Sequence, residues 1–200
     1  MEKGLFTPEG FIMNRKDTHE HLRYTILAAM FAAMIYVMTA FVHIPTQQGY
    51  IHIGDGIIFL AAALLPAPYA MGAAAVGAGL SDYLSGFAIW VLPTVIIKAA
   101  TAAVFTNGRQ TIVNRRNLIA CAVAWLICVG GYYISGVVLA LLSGGEIHSA
   151  LAAALADIPT NIMQCVGSTA LYIFLGFALD KMGFKSMLSG KRPAGRKNSK

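Results

Sequence analysis

Three ionisable residues stand where charge is expensive. Asp55, Asp82 and Lys98 lie in HIGDGIIFLAAALLPAPYAMGAAAVGAGLSDYLSGFAIWVLPTVIIKAA, residues 52–100. That stretch is long enough to cross a bilayer more than once. A charge in such surroundings lines a site, a pathway or an internal ion pair. Asp55 sits where a loop enters the second apolar run, the position of a helix N-cap. Asp82 lies near the end of the third run. Lys98 lies eleven residues into the fourth, about 16 Å deep at ~1.5 Å per residue, close to the mid-plane. Three roles are open to it: a partner of Asp82, a side chain turned to a membrane face, or a contact for an anionic ligand group.

A second polar set follows helical spacing. Asp157, Asn161, Gln164 and Ser168 recur at i, i+4, i+7 and i+11, which places them on one face of a helix. Such a stripe either lines a pocket or bonds to neighbouring helices. Trp90, Thr94, Lys98 and Thr101 share another face. Trp90 serves as an interfacial belt residue or stacks on a flat ligand. Tyr132 and Tyr133 each carry a phenol that needs a partner, and one of them is expected at the cavity. His43, His52 and His148 have no ligand spacing, so no metal site is expected. Cys121, Cys128 and Cys165 lack CxxC spacing and read as small packing residues. There is no Walker A sequence, no HExxH and no GxSxG, and no nucleophile–base pair is visible. The chain is therefore not read as an enzyme.

The elements that must hold these residues are helices in a membrane. The chain has 200 residues, of which 57% are hydrophobic and 12% charged. A soluble domain carries about 25% charged residues. Apolar runs fall near Tyr24–Val42, Asp55–Leu65, Pro68–Ser85, Phe87–Thr106, Leu118–Leu142 and Asp157–Leu179. An all-α polytopic membrane protein with six transmembrane helices follows, with the second helix short and tilted or shielded by protein. Residues 1–23 read as an N-terminal flank, 24–180 as the membrane domain and 181–200 as a basic tail. Met1–Arg23 mixes acids and bases and lacks the apolar core of a signal peptide.

Charge placement sets the expected orientation. Four bases precede helix one, three lie between helices four and five, and seven follow helix six; of fifteen, only Lys98 remains. The other connections contain no Lys or Arg. Both termini are therefore expected in the cytoplasm, and the basic flanks suit anionic lipid rather than nucleic acid. Three segments then face outward: HIPTQQGYIHIGD, the turn at Ser85-Gly86, and SGGEIHSALAAALAD, whose residues 146–156 suit a short helix or lid. On helix one, Ala28 pairs with Ala32 and Ala29 with Ala33; small residues four apart permit close helix approach.

HIGDGIIFLAAALLP at 52–66, LSDYLSGFAIWVLPTVIIKA at 80–99, PTNIMQCVGS at 159–168 and Ala28-x-x-x-Ala32 together resemble the S component of an energy-coupling factor (ECF) vitamin transporter. The resemblance covers about residues 20–185. It implies a six-helix bundle in the plasma membrane of a prokaryote that binds a vitamin or precursor on the external side. It also implies docking on a membrane coupling subunit driven by two cytoplasmic ATPases, which use the ATP; this chain binds no cofactor. Carried over, the helix-one alanines (Ala28, Ala29, Ala32, Ala33) become docking residues. Gln47, Gln48 and Tyr50 become gate residues over the pocket, and Asn161 and Gln164 pocket residues. Asp82, Trp90, Lys98, Tyr132 and Asp157 complete the expected binding set. The N-terminal sequence MEKGLFTPEG lacks the metal-binding sequence of nickel and cobalt members. The competing reading is a stand-alone ion-coupled transporter or channel, with Asp82 and Lys98 as a relay.

Overall fold

The computed structural model describes residues 15–46 and 49–188. Helices form at all six expected places. The first, α1, spans Arg15–Ala40, beginning nine residues before the apolar run: KDTHEHLR holds no Pro or Gly, so the helix continues past the length the bilayer selects. A two-stranded antiparallel hairpin follows, β1 (His43–Thr46) and β2 (Gly49–His52), pairing His43 with His52 and Pro45 with Tyr50. The all-α reading of the sequence includes no such hairpin.

The second helix, α2 (Asp55–Leu64), has ten residues and is buried along its whole length. At about 15 Å it covers roughly half of a ~30 Å hydrocarbon layer. A helix that is apolar all round belongs in a core, and α2 is indeed enclosed by α1, α3 (Ala67–Leu84), α4 (Val91–Ala103) and α7 (Ile158–Lys181). It stops because Leu65 precedes Pro66 and turns extended, at ψ 154. Between α3 and α4 the chain reverses through Gly86, whose φ of 87 favours glycine, and a 3-10 turn at Ala88–Trp90.

The fifth helix, α5 (Arg115–Leu142), starts at Asn114, whose side chain accepts from Asn117 N–H. The extra segment after it forms α6 (Ile147–Ala156), separated from α7 at Asp157, with Pro159 in the first turn of α7. A last short helix, α8 (Phe184–Leu188), lies against the opposite end of α2, where Lys185 Nζ donates to Ala63 O at 2.8 Å.

Three stretches are long and apolar enough to cross a membrane by length and composition: Thr18–Ala40, Arg115–Leu142 and Ile147–Lys181. Their outer faces carry large apolar side chains, including Met30, Val37, Leu126, Ile134, Phe174 and Phe177. Exposed apolar surface on that scale suits lipid rather than water. At the end of the bundle opposite the hairpin, the α4–α5 connection is tied down. Asn117 bonds Thr106 N, Thr106 O and Ile112 O; Asp180 accepts from the N–H groups of Ile112 and Val113. The rigid end leaves the hairpin end as the place to look for a site.

Candidate functional site

The polar face of α4 turns inward. Thr94, Lys98 and Thr101 are all buried, and Lys98 is 1% exposed. Lys98 Nζ donates to Asp55 Oδ2 at 2.8 Å. Gln164 Nε2, from α7, donates to the same oxygen at 3.1 Å. From α5, the Cys128 Sγ lies 3.4 Å from Lys98 Nζ and donates to Asp55 Oδ2 at 3.7 Å. Four helices thus converge on one carboxylate. Its second oxygen, Oδ1, is buried with no hydrogen-bond partner, as are Ser168 Oγ and Thr101 Oγ1.

Two expectations change here. Asp55 was read as a helix cap, but Gly54 occupies the N-cap of α2 and Asp55 is the ion-pair partner of Lys98. Asp82 is one of the partners the sequence offers Lys98, and the structure gives the ion pair to Asp55 instead. In the antiparallel α3–α4 hairpin, Asp82 stands three residues before Ser85, level with the start of α4. Lys98 lies eight residues below Trp90, about 12 Å deeper. Asp82 is itself buried near the turn, where its carbonyl accepts from Phe87 N–H at 2.8 Å.

Aromatic residues connect this cluster to the hairpin end. Lys98 Nζ lies 5.0 Å from the centroid of the Tyr132 ring, and Tyr132 Oη is 3.1 Å from Thr94 Oγ1. The Trp90 ring lies 6.0 Å from that of Tyr132. Trp90 also lines a cavity of about 280 Å³ with Gly136, Ala140, Ala154 and Asp157. Of the residues expected to bind substrate, the structure therefore links Trp90, Tyr132, Lys98 and Gln164 through successive contacts and places Asp157 beside Trp90 on the cavity wall. Asn161 is half-buried on the same face of α7 as Gln164. Gln47 and Gln48 lie outside the described residues, and Tyr50 is placed by its backbone alone, opposite Pro45. Asp55 is among the residues the sequence singles out, though as a cap, and Cys128 reads there as packing only. Asp55 carried a signal, since a charge opening an apolar run is unusual; Cys128 carried none.

The foot of the hairpin is closely built. His52 is buried, and its Nδ1 accepts from Gly54 N–H at 3.1 Å. Burial pushes the imidazole down to about 4, so the ring is neutral at ordinary pH. A Cβ on Gly54 would lie 2.1 Å from Thr39 Oγ1, so a larger residue here would have to displace the Thr39 side chain at the end of α1.

The family model described as "ECF-type riboflavin transporter, S component" matches residues 21–181. The chain belongs to this family. A curated protein of Pyrococcus woesei, "Uncharacterized protein in gap 3'region", is 29% identical over 153 residues, spanning 75% of this chain and 95% of that protein. The ECF S components are helical membrane proteins that take part in vitamin-type uptake. They are transport subunits, not enzymes, and work with a membrane and ATPase module.

For an S component the packing of α1 matters. Ala28 and Ala32 are partly buried against the core, and a Cβ on Gly77 of α3 would lie 2.5 Å from Ala32 O. That pair brings α1 and α3 together inside the chain. The outward pair is Ala29 and Ala33, both exposed among Ile26, Met30, Met34 and Val37.

Proposed function

We propose that this chain is the substrate-binding S component of an ECF-type importer and that it binds a flavin, by preference riboflavin, with high affinity. The observation that carries this reading is the file from Trp90 through Tyr132 to the Lys98–Asp55–Gln164 cluster. A largely apolar pocket with a few convergent polar groups is what a small-molecule site needs. Two aromatic rings beside it suit a flat heteroaromatic ligand. The family's printed name supplies riboflavin as the first candidate.

In this reading the first external loop, whose sequence includes Gln47, Gln48 and Tyr50, is the external gate. Asp82 and Asn161 belong to the rim. The Ala29–Ala33 face docks on a coupling subunit whose two cytoplasmic ATPases consume ATP, while this chain binds no cofactor. It sits in the plasma membrane of a prokaryote with both termini in the cytoplasm, following its Lys and Arg placement. Titrating the purified full chain with riboflavin, in the absence of ATP, tests the reading by flavin-fluorescence quenching. Saturable binding below micromolar is expected. Failure of riboflavin to bind refutes the flavin reading, and failure of every B vitamin in a thermal-shift screen refutes the S-component role.

The buried Lys98–Asp55 pair favours one other reading, an ion-coupled transporter acting alone. Uptake by the chain in liposomes without ATPase subunits would select it.

A further inference from the structure

Two thiols meet beside the Lys98–Asp55 pair. Cys128 of α5 and Cys165 of α7 are each 2% exposed and share one buried cluster with Ile97. Their side chains hydrogen-bond to one another, and both are free thiols. The third cysteine, Cys121, lies about two turns away on α5 and bonds to Thr169 instead. Cys128 has two charged neighbours as well. Its Sγ accepts from Lys98 Nζ at 3.4 Å and donates to Asp55 Oδ2 at 3.7 Å. One neighbour is placed to take the thiol proton and the other to hold the charge left on sulfur. A base and a cation at one sulfur make a thiol nucleophilic. A nucleophilic cysteine with a second thiol in contact is the arrangement of a redox-active dithiol. Packing alone asks only for small side chains and gives no reason for a carboxylate and an ammonium at the sulfur.

We propose that Cys128 and Cys165 are a redox-active pair that a small hydroperoxide converts to a disulfide, and that the disulfide lowers substrate affinity. The disulfide stands on the thiols alone; the loss of affinity rests on the flavin reading above. The Cys128 proton passes to Asp55, and the thiolate attacks one peroxide oxygen. The O–O bond breaks, Cys128 becomes a sulfenic acid, and the hydroxide leaves with that proton as water. The Cys165 sulfur then attacks the sulfenic sulfur. The S–O bond breaks, and the departing hydroxide takes the Cys165 proton as a second water. Two thiols lose two electrons and two protons, and the peroxide takes both. Hydrogen peroxide is small and uncharged, which suits entry to a buried apolar site. The new bond ties α5 to α7 and ends the S–H donation from Cys128 to Asp55, which keeps Lys98 and Gln164 as donors. Tyr132 stands one turn after Cys128, and Gln164 immediately precedes Cys165. The disulfide therefore constrains both helices beside two residues expected to touch substrate.

The test starts from the purified, unmutated full chain reduced with dithiothreitol. Hydrogen peroxide is added and then removed with catalase, and the protein is denatured and alkylated with N-ethylmaleimide. Of the three cysteines only Cys121 should be alkylated, and a digest should contain peptides linked through Cys128 and Cys165. Dithiothreitol should restore all three thiols. Three thiols surviving peroxide, or thiols lost without that linked pair, overturn the proposal. Cys165→Ser should leave a sulfenic acid on Cys128 that dimedone traps. Equal trapping on Cys165 in Cys128→Ser would overturn the role of Cys128 as the nucleophile. Riboflavin titration then compares reduced and oxidised protein. Affinity should fall by about tenfold on oxidation and return on reduction. A fall of less than about threefold with the disulfide formed overturns the effect on binding. If riboflavin does not bind the reduced chain, the flavin reading and the effect on affinity fall together, while the thiol count still decides the disulfide.

Discussion

Replacing Lys98 by Met should destabilise the ligand-free protein more than any surface change, and the structure says why. Lys98 and Asp55 are each 1% exposed and meet at 2.8 Å. Met keeps most of the packing volume of the lysine stem but removes the ammonium. Asp55 is then left with Gln164 Nε2 and Cys128 Sγ as its donors, and Oδ1 already has none. Removing one partner of a buried pair costs about 3–5 kcal/mol, because the surviving charge stays out of water. For a chain of this size ~1 kcal/mol corresponds to about 2–4 °C, so unfolding in micelles should fall by roughly 10 °C. The double variant Lys98→Met with Asp55→Asn removes both charges together and should recover to within about 2 kcal/mol of the parent. Thermal unfolding of all four proteins, followed by circular dichroism, gives the cycle. If Lys98→Met alone unfolds within about 3 °C of the parent, or the double variant is as unstable as the two singles added, the pair does not hold these helices in the way described.

Two further outcomes are expected. His52 is pushed from 6.5 to about 4 by burial, so its unfolded form takes up a proton first as the pH falls. The stability it leaves intact above pH 6.5 should be lost by about 3 kcal/mol as the pH falls towards 4 and then level off. Thermal unfolding of the parent across that range, set beside His52→Gln, should show the difference; identical pH profiles would refute a neutral buried imidazole. On α1, Ala29→Trp should abolish uptake in cells supplied with the ATPase module while leaving riboflavin affinity of the purified chain within about threefold. Ala28→Trp, aimed at the α1–α3 contact, should instead lower the yield of folded protein. Unimpaired uptake by Ala29→Trp would remove the docking role from that face.

The six helices were legible because the bilayer imposes a length and a hydrophobicity that any apolar run must meet. What it does not impose is rotation or partnering. Periodicity placed Gln164 and Lys98 on inward faces, yet it could not say which neighbour each would face. The Ala28–Ala32 pair illustrates the limit: both small pairs on α1 suit a close contact, and only the presence of Gly77 on α3 decides that one is spent within the chain. The hairpin was hidden for a different reason. HIPTQQGYIH contains a Pro and lacks an Asn-Gly or Asp-Gly turn, so the local signals for paired strands are weak.

The misreading of Asp55 and the short second helix have one cause. A ten-residue helix of about 15 Å cannot reach across the layer. If it meets the far end at Leu65, its first residue lies near mid-depth, which is the level reckoned for Lys98 from the other direction. The hairpin must then descend into the bundle to deliver the chain to that point, which is why His52 and Gly54 at its foot are buried. An aspartate at the first residue of such a helix faces no water to be capped from. It also lies at the positive end of the helix dipole, where a carboxylate is favoured. Its nearest source of charge balance is the one base placed at the same depth. Length, taken with depth, thus assigns the pair that local pattern alone gave to a cap.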